Sequence, residues 1–290
     1  MSEGKSISLV NLSKAADTLI KKVSSAIGGI CEPWQIKRIA IAEAEAALIK
    51  AKSDIEITDL QRRAMHRFFE EEALRQQNME KITEKALPLL IEGSDPSEME
   101  DDWITNFFDK SRIISDEEMQ SLWSRVLAGE ANAPGTYSKR TVNFLSDLDK
   151  KDAELFQVLC RFIWIVGKFA PVVFNVQDQI YNDLGLNFNT LTHLDSIGLI
   201  QFSNISGFVR TGLPKKFTVA YGNQHLDLTM KDNADNNLPI GKVLLTKVGE
   251  ELAPLAKAIR VEGFEDYIKG IWAEYIPQEN NVEQGSGGDT

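Results

Sequence analysis

Four residues with the chemical groups of a binding site lie close together in the middle of this chain. Glu130 ends one helical pattern, and Ser138, Arg140 and Thr141 follow a Pro-Gly turn a few residues later. A carboxylate, two hydroxyls and a guanidinium can hold an anionic or hydrogen-bonding ligand, and they can equally hold one another. Since Arg140 just inside a helix start can pair with Glu130 across the turn, we favour a structural role for this cluster over a binding role.

The other candidate groups do not indicate metal or cofactor chemistry. The histidines, His66, His193 and His225, are scattered over a presumed helix, helix and strand and fit no metal-binding spacing. Cys31 and Cys160 lie far apart, and neither has a neighbouring Cys or His that would complete a zinc site. We therefore predict no metal, no cofactor and no disulfide framework.

Sequence motifs of the common enzyme classes are also missing. The run Glu70-Glu71-Glu72 offers acid/base or metal-binding groups, but consecutive helical residues point around the helix, so a solvated face is the better interpretation. The sequence contains no glycine-rich phosphate loop and no Gly-x-Ser-x-Gly elbow. A nucleotide hydrolase or a serine hydrolase is disfavoured, and no catalytic residue is assigned.

Net charge and composition narrow the function further. A formal charge of −11 opposes non-specific attraction to nucleic acid or to anionic lipid. With 43% hydrophobic and 26% charged residues, the 290-residue chain suits two or three globular units. Its start lacks the pattern of a secretory signal, and its most apolar stretch, 162–174, is shorter than the roughly 20 residues of a membrane-spanning helix. We expect a cytoplasmic protein without a membrane span.

Residues 1–94 have the pattern of an N-terminal helical arm. Apolar residues at helical spacing over 7–27 predict a first helix, which packs on protein in the favoured interpretation and lies on a membrane surface in the alternative. Strong helix formers over 33–52 predict a second helix. Residues 54–90 predict one long helix with charges of alternating sign, typical of a hairpin or an oligomer arm.

The sequence Gly-Ser-Asp-Pro at 93–96 predicts a boundary, after which residues 95–149 form a helical middle region. Two pairs have the spacing of a capping box that opens a helix, Ser97 with Glu100 and Ser115 with Glu118. Ser138 begins a further helix with one apolar face.

Residues 150–260 have the pattern of a winged-helix-like module. A helix over 151–166 precedes a short strand over 172–174, and a second helix ends at Gly185. The next helix runs into a strand through Leu-x-x-x-Gly-Leu-Ile, residues 194–200, which is similar to the end of a winged-helix recognition helix.

The end of the module and the C-terminus complete the predicted fold class. Gly222-Asn223 predicts a two-residue hairpin turn in an enlarged wing, and Thr246 predicts the N-cap of a closing helix. Residues 261–290 are predicted to be a C-terminal helix and a tail that is disordered from about Pro277. The fold class is mainly α (α+β), with long N-terminal helices, a helical middle region and a C-terminal winged-helix-like module that contains a small antiparallel sheet.

The charges of this module disfavour DNA binding. The presumed recognition helix, 190–197, contains no Lys or Arg to reach base edges. Arg210, Lys215 and Lys216 lie on the presumed wing and are placed to touch phosphate. We therefore expect the module to contact protein, with specific DNA binding as the less favoured alternative.

A resemblance to a known family rests on four segments. They are Trp-x-x-x-Leu-Ala-Gly-Glu at 123–130, Pro-Gly-x-x-Ser-x-Arg-Thr at 134–141, Asp-Ala-x-x-Phe at 152–156 and Arg-Gln-Gln-Asn at 75–78. Together they resemble the bacterial family called domain of unknown function 2806, over about residues 60–260. The resemblance implies no activity. A looser similarity to abortive-infection proteins suggests a role in phage defence.

Taken together, these patterns predict a non-enzymatic adaptor or regulatory protein that binds a protein partner or forms a homo-oligomer. The alternatives are a winged-helix DNA-binding regulator and a phage-defence component. Nucleic acid is a disfavoured partner because the chain is acidic.

Overall fold

The computed structural model describes residues 13–28 and 58–277, and the chain divides into two compact units, residues 1–148 and 149–290. Helices dominate the described residues, and strands form only small antiparallel sheets, so the predicted mainly α (α+β) class is confirmed. The predicted boundary at 94/95 falls inside the first unit. The predicted second helix, the first residues of the predicted first helix, Cys31 and the tail over 278–290 lie outside the described residues.

The first unit is helical throughout its described part. Its helices are α1 Lys14–Ile27, α2 Asp59–Ala86, α3 Asp101–Ser111, α4 Glu117–Asn132 and α5 Lys139–Ser146, with 3₁₀ turns at Leu87–Leu89 and Pro96–Glu98. α1 and α5 pack on α3, while α2 packs on α4. The long helix predicted over 54–90 is therefore confirmed in its described part.

Side-chain capping sets the helix starts, and two predicted caps are corrected. Ser97 does not cap a helix: Asp95, one residue before Pro96, accepts from the Ser97 amide and opens the short turn, and α3 begins only at Asp101. α4 is capped by Asp116 rather than by Ser115. The Asp116 carboxylate accepts from the amides of Glu118 and Met119. At α4 the carboxylate next to the serine accepts from amides of the first turn, whereas α3 begins without a side-chain cap.

Aromatic rings fill the centre of the first unit. Trp103 and Phe107 stack with their ring centroids 5.1 Å apart, and Phe107 meets the rings of Phe108 and Trp123 edge-on at the same separation. All four side chains are buried. Because α3 carries three of these rings on one face, burying that face against α4 fixes the rotation of both helices.

A buried polar network joins α2 to α4. Gln120 donates from Nε2 to Asn78 Oδ1 and to the Ile114 carbonyl, and Asn78 Nδ2 donates to the Arg112 carbonyl. At the edge of the network, Lys85 donates to the side chains of Gln120 and Glu117. The hydrogen bond from Lys85 to Glu117 lowers the pKa of the Glu117 carboxyl. Amides buried with partners on both sides fix the register of α2 along α4.

Replacing Asn78 by alanine tests this register. The Gln120 amide and the Arg112 carbonyl would each lose a buried partner, so we expect Asn78→Ala to lower the free energy of unfolding by about 1–3 kcal/mol. The neighbouring residue Gln77 is exposed, and Gln77→Ala should leave stability within about 0.5 kcal/mol of the parent. Urea denaturation measures both, and equal effects would contradict the network.

The second unit combines short helices with small sheets. Its helices are α6 Lys150–Cys160, α7 Gln179–Asn182, α8 Phe188–Ser196, α9 Lys247–Leu252 and α10 Phe264–Ile271, with 3₁₀ turns at Ala253–Ala256 and Ala273–Tyr275. Its strands are β1 Ile163–Val166, β2 Lys168–Pro171, β3 Ile200–Phe202, β4 Phe208–Leu213, β5 Lys216–Tyr221, β6 Gln224–Thr229, β7 Asn236–Gly241 and β8 Val243–Leu245.

The strands pair antiparallel in three small sheets. One has the order β2-β1-β5-β6, a second pairs β3 with β8, and a third pairs β4 with β7. The predicted two-residue turn at Gly222-Asn223 is confirmed, since Tyr221 pairs with Gln224, but the hairpin joins β1 rather than extending the β3–β8 pair. At Gly241, with φ of +95°, a Cβ atom would lie 2.3 Å from the Val173 carbonyl oxygen, so only glycine fits.

Two boundaries predicted in the second unit are wrong. The helix predicted over 151–166 ends at Cys160, because the β-branched and aromatic residues that follow pair as β1 with β2. The strand predicted over 172–174 comes earlier, as β2, and Val173 forms only an isolated parallel bridge to Gly241. The helix ending before Gly185 is short, at Gln179–Asn182.

A second aromatic core holds this unit together. Phe162 lies with its ring centroid 5.0 Å from that of Tyr181 and 4.9 Å from that of Phe264, and Trp164 contacts Trp272 at 5.3 Å. The Trp272 indole also donates to the Pro239 carbonyl. Much of the apolar stretch 162–174 therefore lies in the core, and Phe264 of α10 packs into it.

Candidate functional site

Glu130 is buried and its carboxylate closes the turn between α4 and α5. One oxygen accepts from the Gly135 amide at 2.6 Å and the other from the Tyr137 amide at 2.8 Å. Arg140 is exposed on the first turn of α5, so the predicted ion pair with Glu130 is replaced by hydrogen bonds to the backbone. The carboxylate therefore joins the end of α4 to the turn through two backbone amides rather than through an arginine.

Ser138 and Thr141 are also used by the fold. Ser138 is the N-cap of α5, as predicted, and its hydroxyl accepts from the Thr141 amide at 3.3 Å. The two hydroxyls lie 3.2 Å apart, and Thr141 is buried. Of the four clustered residues, Arg140 is the one left with an exposed functional group.

The glycine before Glu130 has a packing role in the same motif. The ring of Tyr137 lies against Gly129, where a Cβ atom would come within 2.6 Å of ring atom Cε2. The Tyr137 carbonyl in turn accepts from the Trp103 indole at 2.7 Å. The Gly129-Glu130 pair and the Pro134-Gly135 turn therefore belong to one set of contacts that links α3, α4 and α5.

Substitutions at Glu130 and Arg140 separate the structural from the binding interpretation. Glu130→Ala leaves two amides without their acceptor and should lower the free energy of unfolding by about 2–4 kcal/mol. Arg140→Ala should change it by less than about 0.5 kcal/mol, because its side chain is exposed. Denaturant titration measures both, and a large loss at Arg140 would show that the guanidinium does support the turn.

Arg125 is a half-buried charge that sequence reasoning missed. Its Nε is buried without a hydrogen-bond partner among the described residues, and burial lowers the pKa of its guanidinium. Arg125 lies one helical turn before Gly129, beside Tyr137. Arg125 is the one charged residue between Met119 and Gly129, and no motif in the sequence indicated that it would be half-buried.

The three basic residues of the predicted wing have different environments. Arg210 lies in β4 opposite Leu238 of β7. Its Nε is buried without a hydrogen-bond partner among the described residues. Lys215 and Lys216, at the start of β5, have exposed side chains. Asp227 on the paired strand β6 accepts from Thr218, two residues into β5 from Lys216. The β5–β6 hairpin therefore carries an acidic group as well as Lys216.

The outward face of α8 has no cationic side chain of Lys or Arg. Leu191 and Leu194 are buried on its inner face. On the outer face, Phe188 is 44% exposed and its ring meets that of Phe202 edge-on at 5.7 Å. The other exposed residues of this face are Asn189, Thr192, His193, Asp195 and Ser196. We call Phe188 and these residues the α8 face.

His193 and Asp152 form a contact that the sequence did not predict. His193 Nε2 lies 2.7 Å from Asp152 Oδ1, so the pair joins α8 to α6. An imidazole beside a carboxylate can act as a general base when a nucleophile or a substrate proton is within reach. The Ser196 hydroxyl donates to the His193 carbonyl instead, so the contact as it stands positions α8.

Within 13–28 and 58–277, no group of three or more His, Cys, Asp or Glu side chains is placed to hold a metal ion. No helix in that part of the chain is long and apolar enough to span a bilayer.

Burial raises the pKa of the Cys160 thiol, which keeps it protonated in the core.

Comparison with known proteins gives one match. The family model described as "Protein of unknown function (DUF2806)" matches residues 62–269, which includes most of both units. No curated protein and no solved structure matches the chain.

Proposed function

The chain belongs to the DUF2806 family of proteins of unknown function. From the surfaces of its second unit, we propose that it is a non-enzymatic adaptor. In this proposal the second unit binds a protein partner through the α8 face. The observation that carries the proposal is an exposed phenylalanine on a helix face without Lys or Arg.

The contacts at the end of α8 support its choice as the binding helix. Gly198, two residues after α8, has a φ of +87° and turns the chain towards β3, and β3 pairs with β8. Thr246, the N-cap of α9, donates to the Gly198 carbonyl at 2.7 Å. This hydrogen bond joins the segment after α8 to the end of β8. In the winged-helix interpretation, α8 takes the place of the helix before the first wing strand, and its exposed side chains are available to a partner.

The chemistry of the α8 face favours protein over DNA. A helix that reads DNA needs cationic or amide side chains for base edges and further cations for phosphates. The α8 face offers one amide, Asn189, and it also carries Asp195, which repels phosphate. A half-exposed aromatic ring with a polar rim is, by contrast, the usual centre of a protein interface.

DNA binding through the wing remains a second candidate because Lys215 and Lys216 are exposed there. We expect the wild-type chain to show no binding to a labelled DNA duplex at physiological salt, measured by fluorescence anisotropy. Binding that weakens with salt and is lost in the Lys215→Glu, Lys216→Glu double variant would replace the adaptor proposal with a DNA-binding role.

Site-specific crosslinking tests the α8 face directly. A photoreactive phenylalanine analogue at position 188 should yield one discrete crosslinked protein in the native cell, because the ring would lie at the centre of the interface. The matched control is position 169, where Phe169 on β2 is 37% exposed in the same unit. Adducts of equal yield from both positions, or none from 188, would refute the α8 face as the binding surface.

A further inference from the structure

Strand β6 forms one edge of the four-stranded sheet in the second unit. It comes last in the strand order β2-β1-β5-β6, and its six residues pair with β5 without a register shift. It contains no proline and no lysine, the residues that commonly prevent pairing at a sheet edge. The strand is therefore regular enough to pair with a further strand along its outer side.

The turn before β6 determines which backbone groups of the strand point outward. Tyr221 and Gln224 flank a two-residue turn, so they form a hydrogen-bonded pair. Hydrogen-bonded and non-hydrogen-bonded pairs alternate along an antiparallel ladder, so Leu226 bonds back to β5. The amides and carbonyls of His225 and Asp227 point away from β5, and within the described residues no other backbone group bonds to them.

The side chains of β6 alternate between the two faces of the sheet. His225 and Asp227 are exposed on the outer face, where the Asp227 carboxylate accepts from the Thr218 hydroxyl at 2.6 Å. On the inner face Leu228 is buried, whereas Leu226 is only partly covered. The edge thus presents an imidazole and a carboxylate two residues apart, with a partly exposed leucine between them on the opposite face.

We propose that β6 pairs antiparallel with β6 of a second copy of this chain, about a two-fold axis that passes between the two Leu226 residues. In this register His225 of each chain lies opposite Asp227 of the other, and the outward backbone groups of these pairs bond to one another. An imidazole N–H donates to the facing carboxylate on the outer face. On the inner face the two Leu226 side chains meet and cover each other.

The order of charges along β6 selects this register over its neighbours. Moving the second strand by two residues sets Asp227 opposite Asp227 in one direction and His225 opposite His225 in the other. Moving it by one residue sets outward backbone groups opposite groups that already bond to β5. An extended segment of a different protein would have to bring its own matching charges, whereas a second β6 already carries them.

The inference does not rest on the proposed function, because it uses β6 rather than the α8 face. A monomeric chain can still crosslink to a different protein through position 188. A chain that dimerises through β6 can equally lack any such partner.

Disulfide trapping tests the register directly. In a non-hydrogen-bonded pair the two Cα atoms lie about 4.5 Å apart, within the range that a disulfide spans. The full chain with Leu226→Cys in a Cys31→Ser background should therefore form a disulfide-linked dimer under mild oxidation, seen on a non-reducing gel. The native thiol of Cys160 is buried.

Gln224→Cys in the same background is the matched control. In the proposed register the two substituted residues lie four positions apart along the strands, roughly 13 Å. Because this separation is too large for a disulfide, the Gln224→Cys chain should remain monomeric on the same gel.

Exchange of the facing charges supplies a second test. His225→Glu sets carboxylates opposite one another, and Asp227→Lys sets an ammonium beside an imidazole. By analytical ultracentrifugation the wild type should dimerise with a dissociation constant on the order of 100 µM, and each variant alone at least about tenfold more weakly. An equimolar mixture of the two variants, and the double variant, should dimerise as the wild type does, since each acidic group then faces a basic one.

Three results would overturn the inference. The first is a Leu226→Cys chain that forms no linked dimer, or that forms no more than Gln224→Cys, which would indicate random collision. The second is a dissociation constant that neither charge variant changes. The third is a photoreactive leucine analogue at position 226 that crosslinks in the native cell to a different protein and not to a second copy, because the edge would then accept a foreign strand.

Discussion

The first unit depends on the burial of one carboxylate. Removing the Glu130 side chain from water is costly unless its charge is met by donors, and the amides of Gly135 and Tyr137 supply them. This requirement fixes the turn after α4, which places Tyr137 against Gly129 and the Trp103 indole against the Tyr137 carbonyl. The helices on either side of the turn are oriented by the same set of contacts.

Because the polar motif is used within the fold, the remaining candidates for function include surfaces with exposed aromatic side chains. Phe188 on α8 and the Phe68-Phe69 pair on α2 are exposed aromatic side chains on regular helices. Rigid helices present such rings at little entropic cost on binding, which suits recognition of another protein. The acidic net charge is consistent with this emphasis on protein contacts.

Local signals predicted those elements that local interactions determine. Ser138 and Thr246 cap the helices expected of them, and the Gly222-Asn223 turn forms, because capping and tight turns need only a few neighbouring residues. The prediction failed at Ser97, whose own amide and hydroxyl both donate to the Asp95 carboxylate. It also failed at the end of α6, where the pairing of β1 with the next strand, β2, and with the distant β5 outweighed a continuous apolar pattern.

The contacts of the candidate sites were less predictable because they join residues far apart in the sequence. Nothing local indicates that His193 meets Asp152 or that Gln120 meets Asn78.

The central claim, that this chain works by binding protein, is tested most directly by isolating it from its own cells with and without nuclease treatment. The account predicts a stoichiometric protein companion that survives nuclease; co-purifying nucleic acid that nuclease removes, with no protein companion, would contradict it.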